Sequence, residues 1–329
     1  VGDAMATTIW GTSSSWTLTA LPLFVWMGEI LFRTKLSENL FKGLSPWMQK
    51  LPGGLIHVNI VGCALFAAIS GSSAATVATV GKMSIPELRK RNYPEKILLG
   101  SLAGSGTLGL LIPPSIILII YGVAVQESIA KLFIAGIIPG IMIALIFMSY
   151  VIIWSLINKK QMPKIKEEYS FLEKIQRSKQ LLPVILLISA VIGSIYTGIA
   201  TATEAASLGV VGALILSYFQ KSLTLKTFKS SLLGATKTSC MIAFILAGST
   251  FLSLAMGFTG LPRNLAIWIQ NMDLSPYVLI LVLMIFYIIL GMFLDGISAV
   301  VLTMAIIEPM IRQAGFDMIW FGIFLVIVV

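Results

Sequence analysis

Hydroxyls crowd one short stretch of this sequence, at Ser70, Ser72 and Ser73 around Gly71, and further on Pro113 and Pro114 interrupt an apolar run. Neither proline has an N–H, and each disfavours helical geometry in the residue before it, so a helix cannot run through them. Thr107 and Ser115 place hydroxyls on either side of that break. Gly100, Gly104, Gly106 and Gly109 let another backbone approach closely. Backbone carbonyls released from helix bonding, together with hydroxyls, make an oxygen cage without formal charge. Such a cage suits a hard monovalent cation, while the N-termini of half-helices beside it suit an anion. A second pair of interruptions stands at Gly257-Phe258-Thr259-Gly260-Leu261-Pro262 and from Gly291 to Gly296. Matched breaks in two halves point to a secondary-transporter site, and they outweigh the general abundance of Gly and Pro in membrane helices.

The elements that must position these residues are membrane helices. The chain has 329 residues, of which 57% are hydrophobic and 11% charged, with mean hydropathy +0.95. A soluble protein carries roughly 25% charged residues. No Asp, Glu, Lys or Arg occurs in 4–28, 51–81, 97–126, 132–158, 180–203, 238–262 or 274–294. Crossing a bilayer takes about 20 mostly apolar residues, so these runs are long enough. Their continuity excludes a β-barrel, whose strands alternate over roughly ten residues. The expected fold is therefore all-α and polytopic. Spans are predicted near 16–32, 130–157, 181–199 and 203–219, with broken embedded segments at 51–91, 97–126, 238–272 and 276–312. Amphipathic stretches at 34–50 and 221–237 fit horizontal helices at the interface.

The net charge of +9 belongs to short segments between spans, as membrane orientation requires, so nucleic acid is excluded as a partner. Basic clusters place 158–180 and 82–96 in the cytoplasm and 121–131 outside. In the second half, simple alternation puts 221–237 inside, against the side from which an inverted repeat would send its broken segment. The expected organisation is a first repeat over 1–157, a cytoplasmic loop over 158–180 and a second repeat over 181–329. From Val1 and the apolar run up to Val329, the chain is expected to be a fragment at both ends.

The residues then become recognisable. AISGSSAATVATVGKMSIPEL followed by LAGSGTLGLLIPPSIILIIYG resembles the large membrane subunit of TRAP (tripartite ATP-independent periplasmic) transporters. TALPLFVWMGEIL at 19–31, TGIATATEAA at 197–206 and GFTGLP at 257–262 extend the resemblance over essentially the whole chain. It implies inverted repeats, two re-entrant hairpins, discontinuous helices and an elevator-type ion-transporter fold in a bacterial inner membrane. It implies Na⁺ as coupling ion with no other cofactor. The implied partners are a small membrane subunit, a periplasmic substrate-binding protein, surrounding lipid and an organic-acid substrate such as a C4-dicarboxylate or a sialic acid. Carried onto this sequence, the first Na⁺ site is Ser70, Gly71, Ser72 and Ser73 facing Gly109, Ile112 and Pro113. The second is Gly257 and Gly260 facing Gly291, Asp295, Gly296 and Ser298. Substrate would lie between the two tips near Thr76, Ser115, Thr259 and Arg263. A self-sufficient divalent-anion/Na⁺ symporter of the same architecture is the alternative.

Among the charges, Asp295 interrupts an apolar stretch, where a carboxylate is costly and functional by default; capping a half-helix is its structural alternative. Glu204 after Thr201 reads as helix-start chemistry, Glu308 as a helix end, and His57 as a histidine without a partner. Enzyme readings fail. Gly81-Lys82-Met83 lacks the first glycine and the Ser/Thr of a phosphate-binding loop. Cys63 and Cys240 give neither a disulfide framework nor metal spacing.

Overall fold

A computed structural model describes residues 2–34, 36–163, 169–260, 264, 267 and 275–329, the side chains of residues 12 and 36–38 aside. Among them all regular structure is helical. In chain order the helices are α1 (Gly2–Ser13), α2 (Ala20–Phe32), α3 (Leu36–Met48), α4 (Ile56–Ser70), α5 (Ser73–Lys90), α6 (Glu95–Gly106), α7 (Leu108–Leu111) and α8 (Ile116–Ala124). There follow α9 (Ile129–Ile157), α10 (Phe171–Ser178), α11 (Leu182–Tyr196), α12 (Ala202–Phe219), α13 (Leu225–Thr259), α14 (Pro276–Gly291), α15 (Gly296–Gln313) and α16 (Met318–Val328). Side chains start half of them: Ser72, Ser115, Ser128, Thr201, Thr224, Ser275, Asp295 and Asp317 each accept a backbone N–H of the first turn. Among the described residues, five spans are long and apolar enough to cross a membrane, or seven when two pairs bent by 58° and 57° are each counted as one. The chain is thus a multi-pass membrane protein.

At the centre lies α8. Ile117, Leu118, Ile119, Ile120 and Tyr121 are all fully buried, and a helix apolar on every side must be enclosed by others. It touches α2, α9, α15 and α16. The Tyr121 hydroxyl donates to Met318 O of α16 at 2.6 Å, and Gly322 leaves room for the phenol ring. The Arg312 guanidinium of α15 donates to Val125 O just past α8 (3.0 Å) and to Glu308 Oε1 (2.9 Å), a cation set at the negative end of a helix dipole.

Two expectations change. First, residues 225–259, which run from the 221–237 stretch into the embedded segment after it, form one helix, α13. At 1.5 Å per residue, its 35 residues reach about 52 Å. Thr224 and Thr227 cap its start, and no proline occurs within it to stop it.

Second, the counterpart of the α4–α5 turn is not Gly257–Gly260. Helices α5 and α15, and the starts of α6 and α16, coincide at a spacing of 223 residues (73 to 296, 90 to 313, 95 to 318). Pro86 and Pro309 hold the same place inside them. Asn92 (φ +59°) and Gly315 (φ +79°) occupy the same left-handed position in the turns that follow. The hydrogen bonds repeat too: Asn92 N–H to Arg89 O and Tyr93 N–H to Leu88 O, then Gly315 N–H to Arg312 O and Phe316 N–H to Ile311 O. The turn equivalent to 71–72 is therefore 292–295, joining α14 to α15. Across it Tyr287 and Thr303 pair hydroxyl to hydroxyl at 2.7 Å, as Gly62 and Val80 meet across the first.

Candidate functional site

The first turn is built by its own hydroxyls. Gly71 (φ +57°) ends α4 in the left-handed conformation that glycine tolerates. Ser72 opens α5 by accepting the Ala75 N–H at 3.5 Å. The Thr76 hydroxyl donates to Ser72 O (2.8 Å), and the Ser70 hydroxyl lies 2.8 Å from it. Ser73 Oγ is shielded from solvent and, among the described residues, has no hydrogen-bond partner.

Across from it α7 stops at Leu111, and Ile112 is extended. A helix carbonyl normally accepts from the N–H four residues on; Pro113 has none to offer Gly109 O, and Pro114 none to offer Leu110 O. Leu110 O is satisfied by the Ser115 hydroxyl, which also caps α8 by accepting the Leu118 N–H at 3.4 Å. The Pro113–Pro114 peptide is cis.

Turn and break are in contact. A Cβ added to Gly109 would stand 2.9 Å from Ser72 C and 3.0 Å from both Ser72 O and Ser73 N. One added to Gly71 would stand 2.9 Å from Pro114 O and 3.1 Å from the Ile116 nitrogen. Ser70, Gly71, Ser72, Ser73, Gly109, Pro114 and Ser115 thus share one place, with Ile112 and Pro113 in the intervening chain. Thr76 and Ser115 are fully buried with internal partners, so their hydroxyls brace turn and break.

Three glycines that the sequence alone did not single out complete the packing. A Cβ at Gly28 of α2 would lie 3.1 Å from Ile69 O and Ser70 Cα. On α9, one at Gly136 would lie 2.9 Å from Leu111 O and one at Gly140 2.9 Å from Ile112 Cγ1. Close backbone approach through small residues is how membrane helices associate, but nothing local marks which glycines have a partner.

The second turn reaches the same break. A Cβ at Gly296 would lie 2.9 Å from Ile117 Cδ1 and 3.7 Å from Leu110 Cδ1. Asp295 caps α15: its carboxylate accepts the Ser298 N–H (3.2 Å) and the Ser298 hydroxyl (2.5 Å). Gly291 stands against Val329 O. Gly257 and Gly260 are not brought to these residues. Among the described residues a Cβ at Gly257 would meet nothing within 4 Å, and Gly260 (φ +68°) ends α13. The Thr259 hydroxyl donates to Met256 O at 2.7 Å. Arg263 lies outside the described residues. The spacing of Ser72 to Pro86 and of Asp295 to Pro309 was the available signal for the second turn.

A cavity of about 540 Å³ lies between α1, the end of α8, α13 and α15, lined by Ser249, Ser253, Gln126 and Glu308 among others. Arg312 neutralises Glu308. Among the described residues no three His, Cys, Asp or Glu side chains gather to hold a metal.

Residues 1–329 match the family model described as tripartite ATP-independent periplasmic transporter, DctM component. The chain is 32% identical to the C4-dicarboxylate TRAP transporter large permease protein of Pseudomonas aeruginosa, over 98% of this chain and 75% of that protein. It is 31% identical to the 2,3-diketo-L-gulonate TRAP transporter large permease protein of Escherichia coli, over 98% and 76%. It is equally similar, at 31%, to the sialic acid TRAP transporter large permease protein of Vibrio cholerae, over 95% and 73%.

Proposed function

Because this chain belongs to the DctM component family of tripartite ATP-independent periplasmic transporters, we propose that it is the substrate-translocating subunit of a Na⁺-coupled organic-acid transporter in a bacterial inner membrane. One observation carries the reading. The turn at 70–73 sits against the break at 109–115, with Ser73 Oγ shielded and unpartnered and Gly109 O deprived of a helical donor. Among the described residues, a hydroxyl without a partner thus faces a carbonyl that has lost its helical donor, an arrangement without formal charge that suits Na⁺.

Na⁺ would be held by Ser73 Oγ, Gly109 O and carbonyls of the turn and break, tying α4–α5 to α7–α8. The turn at 292–295 rests on the same break through Gly296 and Ile117, so ordering the break would also set the second turn. Substrate would lie between the two turns, and a rigid-body, elevator-like movement of both hairpins would carry it across. The relatives' cargoes are organic anions, so an organic acid is the substrate class, with a periplasmic binding protein to deliver it and a small membrane subunit alongside. One 30% identical relative is the isethionate TRAP transporter permease protein DctMQ of Oleidesulfovibrio alaskensis.

The test is thermal unfolding of the full-length protein in Na⁺ against K⁺ at equal ionic strength. A ligand at about 100 times its Kd stabilises by about 2.7 kcal/mol, so Na⁺ should raise Tm and K⁺ should not. Ser73→Ala should shift the Na⁺ dependence to higher concentration. Equal stabilisation by both ions, or an unchanged dependence in the variant, would remove Na⁺ from this site.

A further inference from the structure

The segment between the two halves was expected to be a solvated loop, yet it carries an outward apolar face. Helix α10 leaves Phe171 66%, Leu172 77% and Ile175 40% exposed. At about 100° per residue these three fall within one arc of roughly 100°. Lys174 and Arg177 follow along one edge of that arc, and Lys179 stands at the C-cap.

The helix is held in a fixed pose. It turns 57° away from the direction of α11 and leans on α3. The Trp47 ring meets Phe171 edge-on at 6.3 Å, its indole N–H donates to the Ser178 hydroxyl at 2.8 Å, and the Lys174 ammonium sits 5.4 Å over the same ring. Exposed apolar side chains beside cations, on a helix crossing the direction of a span, are the arrangement of an interfacial helix. Residues 158–180 hold seven Lys or Arg against three Glu. That excess places the segment on the cytoplasmic side, where the leaflet is anionic.

We propose that α10, braced by α3, is a binding site for anionic phospholipid of the cytoplasmic leaflet. Phe171, Leu172 and Ile175 enter the upper acyl region, while Lys174, Arg177 and Lys179 meet headgroup phosphates. A free phosphate would use the cations and leave the apolar arc idle, so a lipid is the occupant that uses both. The site sits at the junction of the two halves, fixing that joint against the bilayer.

The experiment uses the full-length chain carrying Cys240→Ser and Leu172→Cys, labelled at position 172 with an environment-sensitive fluorophore. Cys63 is buried and escapes the label. The protein is placed in nanodiscs of phosphatidylcholine alone or mixed with phosphatidylglycerol. Quenching is read from brominated acyl chains and from aqueous acrylamide, a neutral quencher that surface charge does not repel. The mixed bilayer should give bromolipid quenching and cut acrylamide quenching by about threefold relative to phosphatidylcholine alone. Adding Lys174→Gln, Arg177→Gln and Lys179→Gln should abolish that difference. Equal acrylamide access in both bilayers overturns the proposal, as does equal burial in both. Persistence of the lipid effect in the triple variant overturns it as well.

Discussion

Gly109→Ala is the substitution that most sharply separates a packed turn-and-break site from two breaks that merely share a protein. The added methyl would stand 2.9 Å from Ser72 C and 3.0 Å from Ser72 O and Ser73 N. All three are backbone atoms, so no side-chain rotamer relieves the contact, and the turn must retreat from α7. Overpacking of this kind costs about 1–3 kcal/mol. At 1.4 kcal/mol per tenfold, the Na⁺ concentration for half-maximal uptake should rise by about 5- to 150-fold if the strained arrangement is the Na⁺-binding one. Gly100→Ala serves as the control: its methyl would meet nothing within 4 Å, and alanine favours a helix over glycine by about 1 kcal/mol. Uptake into proteoliposomes over a Na⁺ titration reads both variants, with melting temperature as the check on folding. A Gly109→Ala protein with a Na⁺ requirement within about twofold of wild type would refute the reasoning, as would equal damage from Gly100→Ala.

Three further outcomes follow from the same contacts. Tyr121→Phe removes the buried hydrogen bond to Met318 O; thermal unfolding should show a loss of about 0.5–1.5 kcal/mol. Asp295→Asn keeps a capping oxygen for α15 while removing the charge, so stability should hold within a few tenths of a kcal/mol, whereas Asp295→Ala should cost about 0.5–2 kcal/mol. If Asp295→Asn also preserves uptake, the carboxylate acts as a cap and not as a coupling group. Gly136→Ala places a methyl 2.9 Å from Leu111 O and should lower both melting temperature and transport. The matched change at Gly193, where nothing lies within 4 Å, should do neither.

What the sequence disclosed depended on how local the cause was. Pro113 and Pro114 remove two hydrogen-bond donors by their chemistry alone, and Gly71 followed by Ser72 writes a left-handed stop and a cap into adjacent residues. The first turn and its break were therefore legible down to the residue. The second turn was misplaced because Gly257 to Pro262 is richer in Gly and Pro than the chain at 292–295, which turns with Met, Phe, Leu and Asp. Its equivalence to the first turn lies in the spacing to Pro309 and in the φ of Gly315, and the latter is a property of the fold. The length of α13 was hidden because a change from Lys-bearing to apolar composition looks like a boundary, although only a proline or a left-handed residue would have made one. Gly28, Gly136 and Gly140 were illegible, since their role is set by Ser70, Leu111 and Ile112, far away in the chain.

Uptake is the direct measure of whether Na⁺ drives an organic acid through this chain. The full-length protein and its small membrane subunit would be reconstituted into proteoliposomes, with radiolabelled C4-dicarboxylates and sialic acid offered with and without the cognate binding protein. An inward Na⁺ gradient would be compared with a K⁺ gradient. Uptake should require both Na⁺ and the binding protein. Uptake that proceeds unchanged in K⁺ would contradict that requirement.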